Sequence, residues 1–211
     1  MKVEKKSNHL AHKSLSIDKK TGTFKLGPST MAIDIFYRNK DIKGQGVWTV
    51  GECGGSRDKV FHEVLKMFNE QPIKILQVGA IETFDPQFRF GSGWSDIFFG
   101  DHIKKHGGEL TVCDINLDHL ANSIASASLL GYNVNTMLAR AEAVMKPEYD
   151  LYYLDGGNDP EECSEQMDII KDSSCVVLCD DFHIKAALVK DRFDWQIREV
   201  ANTMGILDLR N

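Results

Sequence analysis

The chain has little proline, no CxxC pair and no long apolar run, and each shortage removes a class of protein. Only 5 of its 211 residues are proline and 42% are apolar, which excludes wholesale disorder and allows one well-formed core. The five cysteines, Cys53, Cys113, Cys163, Cys175 and Cys179, are odd in number and without a CxxC pair, so we expect reduced thiols in a cytosol-like compartment. No N-terminal apolar stretch resembles a signal peptide, and no window approaches the roughly 18 uninterrupted apolar residues of a spanning helix. The expectation is a soluble, cytoplasmic protein with no membrane partner. Internal repeats and low-complexity tracts are also lacking.

Basic charge is short in the body of the chain. The net charge is -6, but residues 1–25 carry seven lysines against Glu4 and Asp18, which leaves about -11 on the remainder. That body is a poor electrostatic partner for nucleic acid. The Lys-rich start reads either as a basic arm for an anionic partner or as a solvated, mobile tail. The organisation expected is one domain: this arm over 1–25, a cap segment and first helix over 26–72, and a core over 73–211.

What is present is regular alternation of helix and strand from about Asp58, the mark of a mostly parallel sheet covered on both faces. Val60, Phe61, Val64, Leu65 and Phe68 share one helical face before Gln71-Pro72. IKILQVG (Ile73 to Gly79) follows as a strand, Trp94 to His106 as a helix stopped by Gly107-Gly108, and ELTVCD (Glu109 to Asp114) as the second strand. Leu117 to Leu130 is a helix with Gly131 beyond its end. NVNTML (Asn133 to Leu138) and YDLYYLD (Tyr149 to Asp155) are strands, and Pro160 opens a helix that leads to CVVLCD (Cys175 to Asp180). The last two strands lack alternation because both of their faces are buried. Ile184 to Phe193 is expected to be helical. WQIREVAN (Trp195 to Asn202) and GILDLR (Gly205 to Arg210) then sit too close for a helical crossover and form an antiparallel pair.

Two of these apolar runs end abruptly in carboxylate, at Asp155 and, about 25 residues later, at Asp180-Asp181. Ligands of open α/β sheets sit beyond the carboxyl ends of the strands, so these acids are candidates to converge on one spot. Gly79 closes the first strand, and Gly91-Ser92-Gly93-Trp94-Ser95 opens the following helix, which turns backbone amides and a helix N-terminus toward the same edge. A dinucleotide fingerprint would need GxGxxG directly after the strand; GSGWSD lacks the third glycine and begins twelve residues late. Asp114 ends the second strand where a carboxylate accepts hydrogen bonds from ribose hydroxyls, and Asn116 is free to cap the next helix in its place.

In these segments the chain resembles the class I S-adenosylmethionine-dependent methyltransferases, and within them the small O-methyltransferases of the caffeoyl-CoA, catechol and macrocin-type sugar kinds. The carriers are KILQVG, GSGWS, TVCDIN, YDLYYLDGG and VVLCDDFH, in that order, and the resemblance runs from about Val47 to the C-terminus. GVWTVGECGGSRDKVFHEVL is similar to the segment that precedes the first helix of these enzymes and closes over the cofactor's methionine end. The family fold is a Rossmann-like α/β architecture, a seven-stranded mostly parallel sheet whose last strand is antiparallel, with helices on both faces. The resemblance implies S-adenosylmethionine as cofactor, with Gly79, Gly93 and Ser95 beside its methionine portion, Asp114 on its ribose, Ile115 on its adenine, and Ala141 or Glu142 at the adenine edge. Three departures stand out: Gln77 where the family usually has an acid, about ten extra residues (IETFDPQFRF) before the glycine turn, and Arg140 where an acid is common.

In metal-dependent members three oxygen ligands at these strand ends hold one cation, and Asp155, Asp180 and Asp181 match their positions. Hard oxygen donors suit Mg²⁺ or another hard divalent ion. Without a cation three crowded carboxylates repel and raise at least one pKa, so either a metal is present or the cluster is looser. The alternative for Asp180-Asp181 is a strand end with one helix-capping aspartate. His183 is the candidate general base beside Asp155, against a plain solvated loop histidine. Gly157 and Asn158, where some sugar O-methyltransferases carry the base, cannot act as one. Trp48, Trp94, Tyr37 and Phe182 are candidates to shape an acceptor pocket. The resulting expectation is O-methylation of a small-molecule acceptor, a sugar or other hydroxyl compound. The rivals are a nucleotide-dependent oxidoreductase and a non-catalytic binding module, and association as a homo-oligomer stays open.

Overall fold

The structure is a computed structural model that describes residues 15–18, 23–26, 56–82, 95–199 and 203–210. The chain divides into two compact units, 1–49 and 50–211. In the first, β1 (Leu15–Asp18) pairs antiparallel with β2 (Thr23–Leu26), Leu15 opposite Leu26. Apolar residues at every second position, Leu15 and Ile17, then Phe24 and Leu26, suit a strand pair. These strands fall in the stretch whose lysine content reads as an arm.

The second unit is built around one seven-stranded sheet. In chain order it runs α1 (Ser56–Lys66), β3 (Ile73–Val78), α2 (Ser95–His106), β4 (Gly108–Asp114), α3 (Leu117–Leu130), β5 (Asn135–Leu138), α4 (Ala141–Val144), β6 (Leu151–Leu154), α5 (Pro160–Ile170), β7 (Val176–Cys179), α6 (Phe182–Lys185), β8 (Gln196–Arg198) and β9 (Met204–Asp208). The strand order is β5-β4-β3-β6-β7-β9-β8. Neighbours from β5 to β7 pair parallel, and β9 runs antiparallel to both β7 and β8, as the short connection between the last two strands requires.

Residue alternation along the central strands explains why they read as unbroken apolar runs. Leu151 and Tyr153 enter one core with Phe61, Val64, Phe99 and Leu120, under α1, α2 and α3. Tyr152 and Leu154 enter the other with Met167, Ile170 and Phe182, under α5 and α6. Local chemistry sets the helix ends. Asn116 caps α3 by accepting the Asp118 amide, and Gly131 closes it at φ 74. Asp159 caps α5 in the same way, with Pro160 in the first turn.

The region after β7 differs from expectation. In place of a helix from Ile184 to Phe193, α6 covers only Phe182–Lys185 and tightens into a 3₁₀ turn over Ala186–Leu188. Ala186 and Val189, three apart, are both fully buried, and that spacing suits the tighter helix. The one-turn α4 was not visible as a periodic pattern. No described helix is long and apolar enough to cross a membrane.

Candidate active site

Register lines up the strand ends. Val78 pairs with Cys113 on one side and with Leu154 on the other, and Leu154 pairs with Cys179. Beyond these pairs Asp114, Gly79, Asp155 and Asp180 follow in a row across β4, β3, β6 and β7, at the usual strand spacing of about 4.8 Å. The Gly79 amide donates to the Cys113 carbonyl at 2.9 Å, that of Asp155 to Val78 at 3.0 Å and that of Asp180 to Leu154 at 3.1 Å. The row straddles the point between β3 and β6 where strand order reverses, the ligand crevice of open α/β sheets.

Gly79 is required here by its neighbours. Its φ is +91°, and a Cβ would stand 2.5 Å from the carbonyl oxygen of Asp155. Beside it Gln77 is fully buried, and its side-chain amide donates to the Gly79 carbonyl at 2.7 Å.

On the β4 side, Asp114 is fixed by three donors. Its Oδ2 accepts the Ala80 amide at 2.9 Å and faces His119 Nδ1 at 3.2 Å, and its Oδ1 accepts the Asn116 amide at 2.7 Å. A carboxylate has about four acceptor positions, so about one remains, and a second opens when His119 turns aside. Asn116 takes the capping role, as the sequence suggested. Ile115 is 75% exposed, and Met137 and Leu138 of the adjoining β5 are exposed too, a set of apolar side chains left in water beside Asp114. Ser95 is buried at the start of α2, and its Oγ has no hydrogen-bond partner among the described residues. Gly93, Trp94, Trp48 and Tyr37 lie outside the described residues. Ala141 is buried in the core under α5, while Glu142 accepts from Gln166 Nε2 at 3.0 Å and from Arg140 Nε at 3.2 Å. The Arg140 charge is thereby answered by its own neighbour.

On the β6–β7 side, Asp155, Asp180 and Asp181 each offer an oxygen within 4.8 Å of the others. The cluster is tight, and internal cations offset its charge. Arg57 Nη2 donates to Asp180 Oδ2, and to Tyr153 Oη at 3.1 Å. Lys185 Nζ donates to Asp155 Oδ1 at 3.2 Å, and the Tyr153 hydroxyl lies 3.0 Å from Asp155 Oδ2 and 3.2 Å from Asp180 Oδ2. Burial, together with Asp155, raises Asp180 to about 6 in spite of Arg57 and Lys185. Lys185 is itself buried, a cost outweighed by Asp155 and Asp180, which raise its pKa.

Asp181 stands at the N-cap of α6 with φ 48 and ψ 41, a left-handed conformation uncommon outside glycine, yet its side chain makes no capping bond. The capping alternative for this aspartate therefore does not describe its side chain. Asp180 Oδ1 is buried with no hydrogen-bond partner among the described residues. An unanswered buried carboxylate oxygen beside two further hard oxygen donors fits a divalent cation of the Mg²⁺ type. His183 is 59% exposed at the side chain, and its Nε2 lies 3.7 Å from Glu199 Oε1. Phe182 is a core residue packed over Gly205, where a Cβ would meet its ring at 2.2 Å.

Arg57, Tyr153 and Lys185 were not singled out from the sequence. Tyr153 was within reach of such a reading, because it stands two residues before Asp155 on the same face of one strand. Arg57 and Lys185 carry no such local signal.

No protein-family model and no curated protein matches the chain. Solved structures do match its fold. The SAH-bound methyltransferase PaMTH1 of Podospora anserina superposes with a TM-score of 0.54 at 15% identity, over 88% of this chain and 90% of that one. Cofactor-bound Rv0187 from MTB gives 0.52 at 13% identity, over 86% and 91%. The precorrin-6y C5,15-methyltransferase of Geobacter metallireducens gives 0.50 at 12% identity, over 76% and 91%. At such identities the likeness speaks to fold alone. The chain shares the fold of these structures, two of which are methyltransferases by name, and the fold has the seven-stranded, mostly parallel sheet expected from the sequence.

Proposed function

We propose that the chain is an S-adenosylmethionine-dependent methyltransferase that methylates a hydroxyl of a sugar or other small molecule with the help of a divalent cation, Mg²⁺ by donor type. The observation that carries the reading is the row Asp114, Gly79, Asp155, Asp180 across the switch point, which sets a ribose-type carboxylate beside an oxygen cluster. Asp114, held by the Ala80 and Asn116 amides, accepts from the ribose, and the exposed Ile115 offers an apolar surface to the adenine. Glu142, with Ala141 beneath it, borders the adenine edge. The methionine portion falls to Gly79, to Gly93, which lies outside the described residues, and to the Ser95 hydroxyl, which has no hydrogen-bond partner among the described residues.

Asp155, Asp180 and Asp181 hold the cation, which when bound lowers the pKa of a neighbouring hydroxyl and fixes its direction. Transfer of a methyl group from a sulfonium is an in-line displacement, so alignment of donor and acceptor is the main task of these residues. Neighbouring strand ends suit it, because donor and acceptor are then held by adjacent parts of one rigid sheet. His183 is the side chain to test as general base; its Nε2 lies 3.7 Å from Glu199 Oε1.

Calorimetric titration with S-adenosylhomocysteine and with NADH separates this reading from the oxidoreductase one. We expect binding in the micromolar range or tighter for the former and none for the latter. Asp114→Ala should weaken S-adenosylhomocysteine by at least about tenfold, the worth of one charge-assisted hydrogen bond. Asp180→Ala should abolish Mg²⁺-dependent methyl transfer with cofactor binding kept. Full turnover in excess chelator would remove the cation from the reading, and no turnover with any hydroxyl acceptor would favour a binding module.

A further inference from the structure

The acid cluster carries a cation of its own on the carboxylate that a divalent ion would need. Arg57 is in the first turn of α1 with its side chain 10% exposed, and its Nη2 bonds Asp180, which is 1% exposed. The same nitrogen reaches Tyr153 Oη at 3.1 Å. Asp180 also provides the buried oxygen without a partner among the described residues, Oδ1, that makes it the innermost candidate ligand. Three carboxylates against Arg57 and Lys185 leave the cluster one negative charge in excess, enough to draw a cation but far less than three bare acids would. A guanidinium and a divalent ion on one buried carboxylate repel each other strongly, since charges a few ångströms apart in a desolvated site are weakly screened.

We propose that Arg57 is the resident counter-ion of the cluster and competes with the divalent cation for Asp180, so that Arg57 sets the affinity for the ion and ion binding loosens the first turn of α1. The inference rests on the reading that Asp155, Asp180 and Asp181 hold such an ion. Arg57 is on this account a positioning residue: it acts through Asp180 and touches neither donor nor acceptor. The competition also explains how three clustered acids fold when no ion is bound, because the arginine satisfies Asp180 from within the chain.

The test is calorimetric titration of the full chain with MgCl₂, in wild type, Arg57→Met and Asp180→Asn, with S-adenosylhomocysteine binding as the check that each variant is folded. Arg57→Met should bind Mg²⁺ at least about tenfold more tightly than wild type, as removal of a nearby like charge predicts. Asp180→Asn should lose the binding. Equal or weaker binding by Arg57→Met, with binding lost in Asp180→Asn, overturns the competition but leaves the metal reading in place. Mg²⁺ binding that survives unchanged in Asp180→Asn, or absence of binding in every protein, overturns both. Hydrogen exchange on wild type gives a second measure that needs no variant: amides of residues 60–63, which bond the carbonyls of the first turn of α1, should exchange faster with Mg²⁺ than with EDTA. Unchanged or slower exchange there overturns the proposal.

Discussion

Asp96 is the most exceptional single residue outside the row of strand ends. It lies in the first turn of α2, is fully buried, and neither carboxyl oxygen has a hydrogen-bond partner among the described residues. Burial raises its pKa from 3.8 to about 8; the Ser123 hydroxyl and the Ile97 amide lie near the carboxyl group without hydrogen-bond geometry and offset only part of the rise. The folded state thus holds a proton that the unfolded chain gives up near pH 3.8. Folding is favoured by this group at low pH, and the benefit is lost as pH rises toward about 8, at up to about 1.4 kcal/mol per pH unit. Asp96→Asn removes the titration. Its stability relative to wild type should therefore grow from pH 5 to 8 and level off above. Urea unfolding of both proteins at several pH values checks this, and parallel profiles would refute it. The residue also marks how far sequence reading reaches. Asp114, Asp155, Asp180 and Asp181 were legible because each ends an apolar run. Arg57 was not, since 123 residues separate it from Asp180 and only the packing of α1 brings them together. For Asp96, the letters of a helix that starts SDIFF say nothing of a carboxylate turned inward.

At the scale of elements, the fit of helix to helix is decided by where a side chain is missing. A Cβ at Gly100 of α2 would meet the ring of Tyr132 at 2.5 Å, and the Tyr132 hydroxyl bonds Ser126 of α3 at 3.2 Å. The glycine is a slot that lets the tyrosine lie between the two helices. Gly100→Ala should destabilise the protein by roughly 1–3 kcal/mol through overpacking, even though alanine is the better helix former. In a double-mutant cycle Tyr132→Leu should take back most of that loss, because it removes the ring that alanine strikes; additive losses would show the slot to be unimportant. Elements with strong local signals were read close to their observed bounds. α3 begins and ends where Asn116 and Gly131 place it, and β3, β6 and β7 fall within their apolar runs. The misread element, α6, has no such signal. Its length is set by Ala186 and Val189 entering the core and by Lys185 reaching Asp155, both tertiary facts.

For the sheet unit as a whole, the strand order assigns the two parts of the proposed chemistry to different strands. Asp114 and Ile115 follow β4, whereas Asp155, Asp180 and Asp181 follow β6 and β7, with Gly79 between them. Among the described residues, the side-chain bonds that orient Asp114 come from Ala80, Asn116 and His119, and none comes from the acid cluster. Cofactor binding and cation binding should then be thermodynamically separable. S-adenosylhomocysteine at about 100 times its Kd stabilises the folded state by about 2.7 kcal/mol, which raises Tm by roughly 5–10 °C for a chain of this size. That shift should be the same in EDTA and in Mg²⁺, should persist in Asp180→Ala, and should shrink sharply in Asp114→Ala. A shift erased by chelator would mean that the cofactor needs the cation, and that Gly79 and its neighbours couple the two sides of the row instead of dividing them.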